Sequence, residues 1–168
     1  ATPAMARSAE SDRPSIVVEG SGNELVALHP PQGDKPVEET WRIAGRGQNT
    51  GASNGFGPVM ADLEGDGGRQ VILATAAPSG CGRLRVVDLA GKEIWFHDFP
   101  TIPGAPPVWN CGSIILWRAG HFTSPIEQDV LVTVRRSMMH SDETALLSGR
   151  DGHEMWRRVR QSTKMHNR

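Results

Sequence analysis

The sequence predicts an all-β fold built from repeated units, and three observations carry that expectation. Glycine and proline are frequent, with 19 and 12 copies in 168 residues, above ordinary usage and suited to a chain with many turns. No window of eleven or more residues keeps apolar side chains at i, i+3, i+4 and i+7 without a Gly or Pro, so helix is scarcely expected; the one candidate, Glu154–Lys164, reads better as a closing strand followed by a basic tail. A tryptophan closes a turn-plus-strand unit three times: Pro36–Trp41, Gly91–Trp95 and Gly152–Trp156. The three tryptophans lie 54 and 61 residues apart, a period that points to a repeat architecture.

The elements follow in the same order in each unit. A strand-like run directly precedes each Trp segment: Leu25–Leu28, Leu84–Leu89 and Thr144–Leu147. Another apolar run precedes that one, at Ser15–Val18, Gln70–Leu73 and Asp129–Val132. The second and third units open on a fourth element, Gly57–Asp62 and Leu116–His121, set 59 residues apart. A unit of about 55–60 residues with four short strands is the size of a β-propeller blade, which buries its faces only against neighbouring blades.

The expected fold class is therefore all-β, with propeller blades of four antiparallel strands. The first unit lacks a recognisable opening strand, so about 2.75 blades are expected, as part of a larger propeller that needs roughly four to eight. The expected boundaries are a disordered or extended leader over 1–14, blades over about 15–44, 57–99 and 113–157, and a basic tail over 158–168. Gly45–Gly57 and Pro100–Gly112 are the expected crossings between blades, and loops on a rigid scaffold are where function concentrates.

Composition removes several function classes. Lys plus Arg number 18 against 19 Asp plus Glu, a formal net charge of -1, so no basic field draws the chain to nucleic acid. The longest apolar runs fall far short of the roughly 18–20 residues that span a bilayer as a helix. No G-x-S-x-G elbow, phosphate-binding loop or dinucleotide fingerprint is present, so nucleotide cofactors are not expected. The six histidines show no H-x-H or H-E-x-x-H spacing, and tyrosine is absent.

One loop has the chemistry of a calcium site. Asp62, Glu64 and Asp66 alternate, Gly68 offers a carbonyl and Gln70 an amide oxygen, while Gly65 and Gly67 permit a tight backbone path. The competing reading is a solvated acidic turn between two strands. In the third unit the same nine positions, His121–Asp129, keep only the final acidic residue, so no metal is expected there.

These residues carry a resemblance. Asp62–Leu73 resembles the calcium loop of FG-GAP or VCBS-type propeller repeats, departing from it at Glu64 and Gln70. Leu147–Trp156 resembles the tryptophan docking motif of propellers similar to pyrroloquinoline-quinone enzymes. Both imply a multi-bladed β-propeller over roughly residues 15–157. The docking motif builds scaffold and does not hold the quinone, so that cofactor is not expected, and calcium is.

The densest polar cluster is Arg135–Glu143. Arg135 and Arg136 are candidates to grip a carboxylate or sulfate, His140 to move a proton, and Asp142 and Glu143 to complete a ligand site. A self-neutralising exposed hairpin is the bland alternative. Trp109 is a further ligand candidate, by stacking on a sugar, against core packing. Trp41, Trp95 and Trp156 read as wedges between blades.

Two cysteines, Cys81 and Cys111, leave a disulfide and two free thiols both open. The small, polar leader residues fit a processed chain, which implies a secreted, periplasmic or cell-surface protein. The expected function is an exported, calcium-stabilised, non-catalytic binding module for polysaccharide or protein, with other chains or blades completing the ring. A polysaccharide lyase acting through Arg135, Arg136 and His140 is the rival reading, and a quinone-dependent dehydrogenase the third.

Overall fold

A computed structural model describes residues 4–7, 14–19, 24–31, 33–43, 58–79, 81–99, 112–136 and 141–161. Among these the chain is all-β, with twelve strands and no helix. The first sheet holds β1 (Ala4–Arg7), β2 (Pro14–Glu19), β3 (Leu25–His29) and β4 (Glu38–Ile43). The second holds β5 (Val59–Ala61), β6 (Gln70–Ala76), β7 (Gly82–Val87) and β8 (Glu93–Asp98). The third holds β9 (Ser113–Gly120), β10 (Asp129–Arg136), β11 (Ser141–Leu147) and β12 (Glu154–Gln161). Each sheet is an antiparallel meander whose strand order is the chain order.

Two boundaries are corrected. The segment expected as a leader contains β1, which pairs with β2 from Ala4↔Val17 to Arg7↔Pro14 and completes the first sheet as four strands. The segment expected as a tail begins inside β12, which continues to Gln161 opposite Ser141.

Burial explains why the second sheet stands between the other two. Along β6, Val71 and Leu73 join Val17, Leu25 and Ala27 in one apolar cluster. Ile72 and Ala74 join Trp117, Val130, Val132 and Leu147 in another. Alternate residues of a strand point to opposite faces, so an unbroken apolar run such as Val71–Ala74 belongs to a strand covered on both sides. The opening strands also lie side by side, β5 touching both β1 and β9.

All three sheets share one irregularity. A register shift between the third and fourth strands falls at Ala27/Leu28, Val86/Val87 and Leu146/Leu147. The unpaired residues are Thr40, Ile94 and Met155, and the tryptophans Trp41, Trp95 and Trp156 pair with Ala27, Val86 and Leu146 just beyond them. A bulge re-aims the side chains that follow it. Here it sets each tryptophan in the same position relative to its sheet.

Candidate functional site

In a meander, alternate hairpins lie at opposite ends of the sheet, which sorts the candidate residues into two groups. Loops 62–70 and 121–129, with turns 88–92 and 148–153, share one end. The hairpin joining β10 to β11 and the turn at 77–82 lie at the other.

At the first end, Asp62 organises its loop. Its Oδ1 accepts backbone N–H groups from Gly65 at 2.7 Å and Asp66 at 3.2 Å, and its Oδ2 accepts that of Gly67 at 2.9 Å. Asp66 Oδ1 accepts the Gly68 N–H at 2.7 Å, and Gln70 Oε1 accepts the buried Leu63 N–H at 2.9 Å. The turn requires glycine at Gly65 and Gly67, with φ of +73° and +87°. Gly65 has a second reason: a Cβ there would sit 2.7 Å from the Ile126 carbonyl oxygen of the neighbouring sheet.

Loop 121–129 has the same length but is held from its other end. Asp129 Oδ2 accepts the Thr123 N–H at 3.0 Å and its hydroxyl at 2.7 Å. The Gln128 N–H donates to the Leu63 carbonyl at 3.2 Å, tying the two loops together. Among the described residues, no group of three or more His, Cys, Asp or Glu side chains gathers as a metal cage. The set Asp62, Glu64, Asp66, Gly68 and Gln70 is nevertheless all oxygen, the donor chemistry that suits a hard cation.

At the opposite end the polar hairpin splits into two pairs. Arg135 Nε donates to Asp142 Oδ1 at 3.2 Å, both side chains exposed. Arg136 and Glu143 are buried, paired twice: Nε to Oε1 at 2.7 Å and Nη2 to Oε2 at 3.0 Å. Arg157 reaches the same carboxylate, with Nη1 3.6 Å from Oε2. Consecutive strand residues face opposite sides, so the two guanidiniums are not brought together. His140 and Trp109 lie outside the described residues.

The tryptophans meet the next sheet in one repeated joint. Trp41 Nε1–H donates to the Leu89 carbonyl at 2.8 Å, and Trp95 Nε1–H donates to the Gly149 carbonyl at 2.8 Å. Each ring lies over a left-handed glycine in the same turn. A Cβ on Gly91 (φ +82°) would be 2.7 Å from Trp41 Cγ, and one on Gly152 (φ +70°) would be 2.8 Å from Trp95 Cδ2.

His97, two residues beyond Trp95, joins that contact. Its Nδ1 lies 3.1 Å from the Gly152 carbonyl and its Nε2 3.8 Å from Glu154 Oε2. Burial pushes its pKa below the ordinary histidine value, against the upward pull of the Gly152 carbonyl and Glu154. Sequence reasoning did not single it out. The available signal was its place on the same strand face as Trp95.

Cys81 is buried and disulfide-bonded. Gly82 and Gly112, which follow the two cysteines in sequence, are joined by the Gly82 N–H to the Gly112 carbonyl at 2.9 Å. No described helix is long and apolar enough to cross a membrane.

No protein family matches the chain, and no curated protein does. Among solved structures, the C-terminal domain of Bacillus megaterium YpeB aligns over 96% of this chain and 90% of its own, at 12% identity and a TM-score of 0.25.

Proposed function

We propose that the chain is a three-blade segment of a β-propeller that works as an exported, non-catalytic binding module. The observation that carries the reading is the joint made twice by the same parts, Trp41 on the Leu89–Gly91 turn and Trp95 on the Gly149–Gly152 turn. A joint that repeats with the sheets stacks them by one recurring step, as blades stack in a ring. The cystine at Cys81 supports export, because disulfides persist in oxidising compartments.

Calcium fits this reading as a clamp on a blade corner. The candidate donors are Asp62, Glu64 and Asp66, with the Gly68 carbonyl and the Gln70 amide oxygen. A cation there supplies positive charge to carboxylates now held by loop amides, and stiffens the corner that packs on Ile126. The partner, polysaccharide or protein, is assigned to the end bearing Arg135 and Asp142. A binding role is favoured over a lyase because Arg136 is buried against Glu143, which leaves Arg135 alone of the two arginines at the surface.

Calcium titration of the chain by calorimetry, paired with thermal melts in calcium and in chelator, tests the clamp. Binding with a raised melting temperature, lost in Asp62→Asn, is expected; no heat and no shift would remove calcium from the reading. Titration of polygalacturonate separates the roles. Binding without cleavage, weakened in Arg135→Ala, is expected, whereas a rise in ultraviolet absorbance from new unsaturated ends would establish the lyase.

A further inference from the structure

A row of charged side chains crosses three strands of the third sheet and ends at the second. Arg136 on β10 pairs with Glu143 on β11, and Arg157 on β12 reaches the same carboxylate. Arg157 also holds Glu154, its Nε 3.0 Å from Oε1 and 2.9 Å from Oε2. His97 of the second sheet stands at the end of the row, with Nε2 3.8 Å from Glu154 Oε2. Two carboxylates balance two guanidiniums, so the row carries no net charge while the imidazole is neutral.

Hydrogen bonding fixes the form of that neutral ring. The Gly152 carbonyl, 3.1 Å from Nδ1, can only accept, so Nδ1 carries the proton and Nε2 keeps a lone pair. This Nε2 is buried and has no hydrogen-bond partner among the described residues. A lone pair does not bond to a carboxylate oxygen, whereas an Nε2–H does. The contact between the two sheets is therefore one proton short of an ion pair.

The other groups around the ring leave Glu154 as its acceptor. Asp98, next on β8, is held by Arg83, and Leu84 lies opposite His97 on β7. Asp151 and His153, on either side of Gly152, are exposed and paired with each other. Phe99 packs beside the ring, with centres 4.9 Å apart.

We propose that His97 and Glu154 form a proton-operated latch across the second joint, in which acidification lets Nε2–H engage Glu154 while Arg157 shifts toward Glu143. The added proton leaves the row with one net positive charge. Burial opposes that charge and Arg157 repels it, so the latch closes below the ordinary histidine range, while Glu154 pulls the other way. Closing the latch limits what acid takes from this joint. It depends on neither the propeller nor the calcium reading.

Long-range proton–nitrogen correlation spectra of the whole labelled chain are the test, with His97→Ile identifying the ring signals. At about pH 7.5 the expected His97 is neutral with its proton on Nδ1. Below pH 6.5 both nitrogens should become protonated, and the Arg157 Nε–H signal should shift with the same midpoint. Glu154→Gln should move that midpoint to lower pH and remove the linked Arg157 shift, whereas Arg157→Gln should move it to higher pH. A ring that is merely packed would show neither the linked signal nor the opposed shifts. The proposal is overturned by a neutral ring protonated on Nε2, by an Arg157 signal indifferent to the titration, or by a midpoint that Glu154→Gln leaves in place. A ring that stays neutral until the chain unfolds overturns it too, because the latch then never closes.

Discussion

The joint between the first and second sheets and the joint between the second and third are made of the same parts but differ in depth. Trp41 is half-buried and its cluster holds, among the described residues, six buried ones that include Val17, Val71 and Leu73. Trp95 is buried, in a cluster of fifteen that includes Trp117, Phe99 and Leu147. The second joint also adds His97 and Phe99, ring centres 4.9 Å apart, where the first has Ile43. The hydrogen bond is 2.8 Å in both, so polar geometry alone does not grade them. Apolar area removed from water does, since it scales with what each indole covers.

Truncating the two indoles is the strongest way to separate them. Trp95→Ala should cost about 3–5 kcal/mol, as for buried aromatic truncations elsewhere, because a large cavity opens in the deeper cluster. Trp41→Ala should cost less, roughly 2 kcal/mol, since part of that ring already faces water. Urea unfolding of the two variants measures the difference. Equal losses would mean that the joints are energetically the same and that the hydrogen bond, not burial, sets their strength.

Substituting the glycines probes the other half of each joint. Gly152→Ala places a methyl against Trp95 in a left-handed position, so the backbone penalty of about 1–2 kcal/mol comes on top of a steric one. Gly33 lies outside both joints and serves as the control, since Gly33→Ala carries the backbone penalty alone. Melting temperatures should therefore fall further for Gly152→Ala than for Gly33→Ala. The reverse order would show that the turn at Gly33 is more tightly packed than its open surroundings indicate.

Much of this architecture was legible in the sequence, because each strand is marked by an apolar run and each joint by a tryptophan after a turn. The opening strand was not. Ala4–Arg7 is short, lacks β-branched residues and has no alternation, so it is a strand only because Pro14–Val17 offers it a partner. The candidate site was read less well for a related reason. Arg135 and Arg136 look like one cationic cluster in a string of letters, yet strand alternation sends one to water and the other to Glu143. That outcome needed only the strand assignment. The pairing of Arg157 with Glu143 needed the β11–β12 register as well, bulge included, which local pattern does not give. The Asp62 loop was found through its alternating carboxylates. Its packing against Ile126 is a contact between repeats that no local pattern encodes.

The smallest expected effect distinguishes the joints by acidity. His97 sits in the second joint with its pKa held below 6.5, chiefly by burial. Below pH 6.5 the unfolded chain takes up the proton before the folded one, so folding stability is complete above that pH and falls as pH drops toward the lower folded value. Glu154 and Asp98 near the ring favour the imidazolium and Arg157 opposes it, which limits the loss without reversing it. The first joint has Ile43 at the equivalent place and no such titration. Urea midpoints compared at about pH 7.5 and about pH 5.5 should therefore fall more in the parent chain than in His97→Ile. Carboxylates elsewhere titrate in both proteins and cancel in that comparison. Parallel losses in the two would assign the acid sensitivity to those carboxylates, and the joints would then differ only in the area they bury.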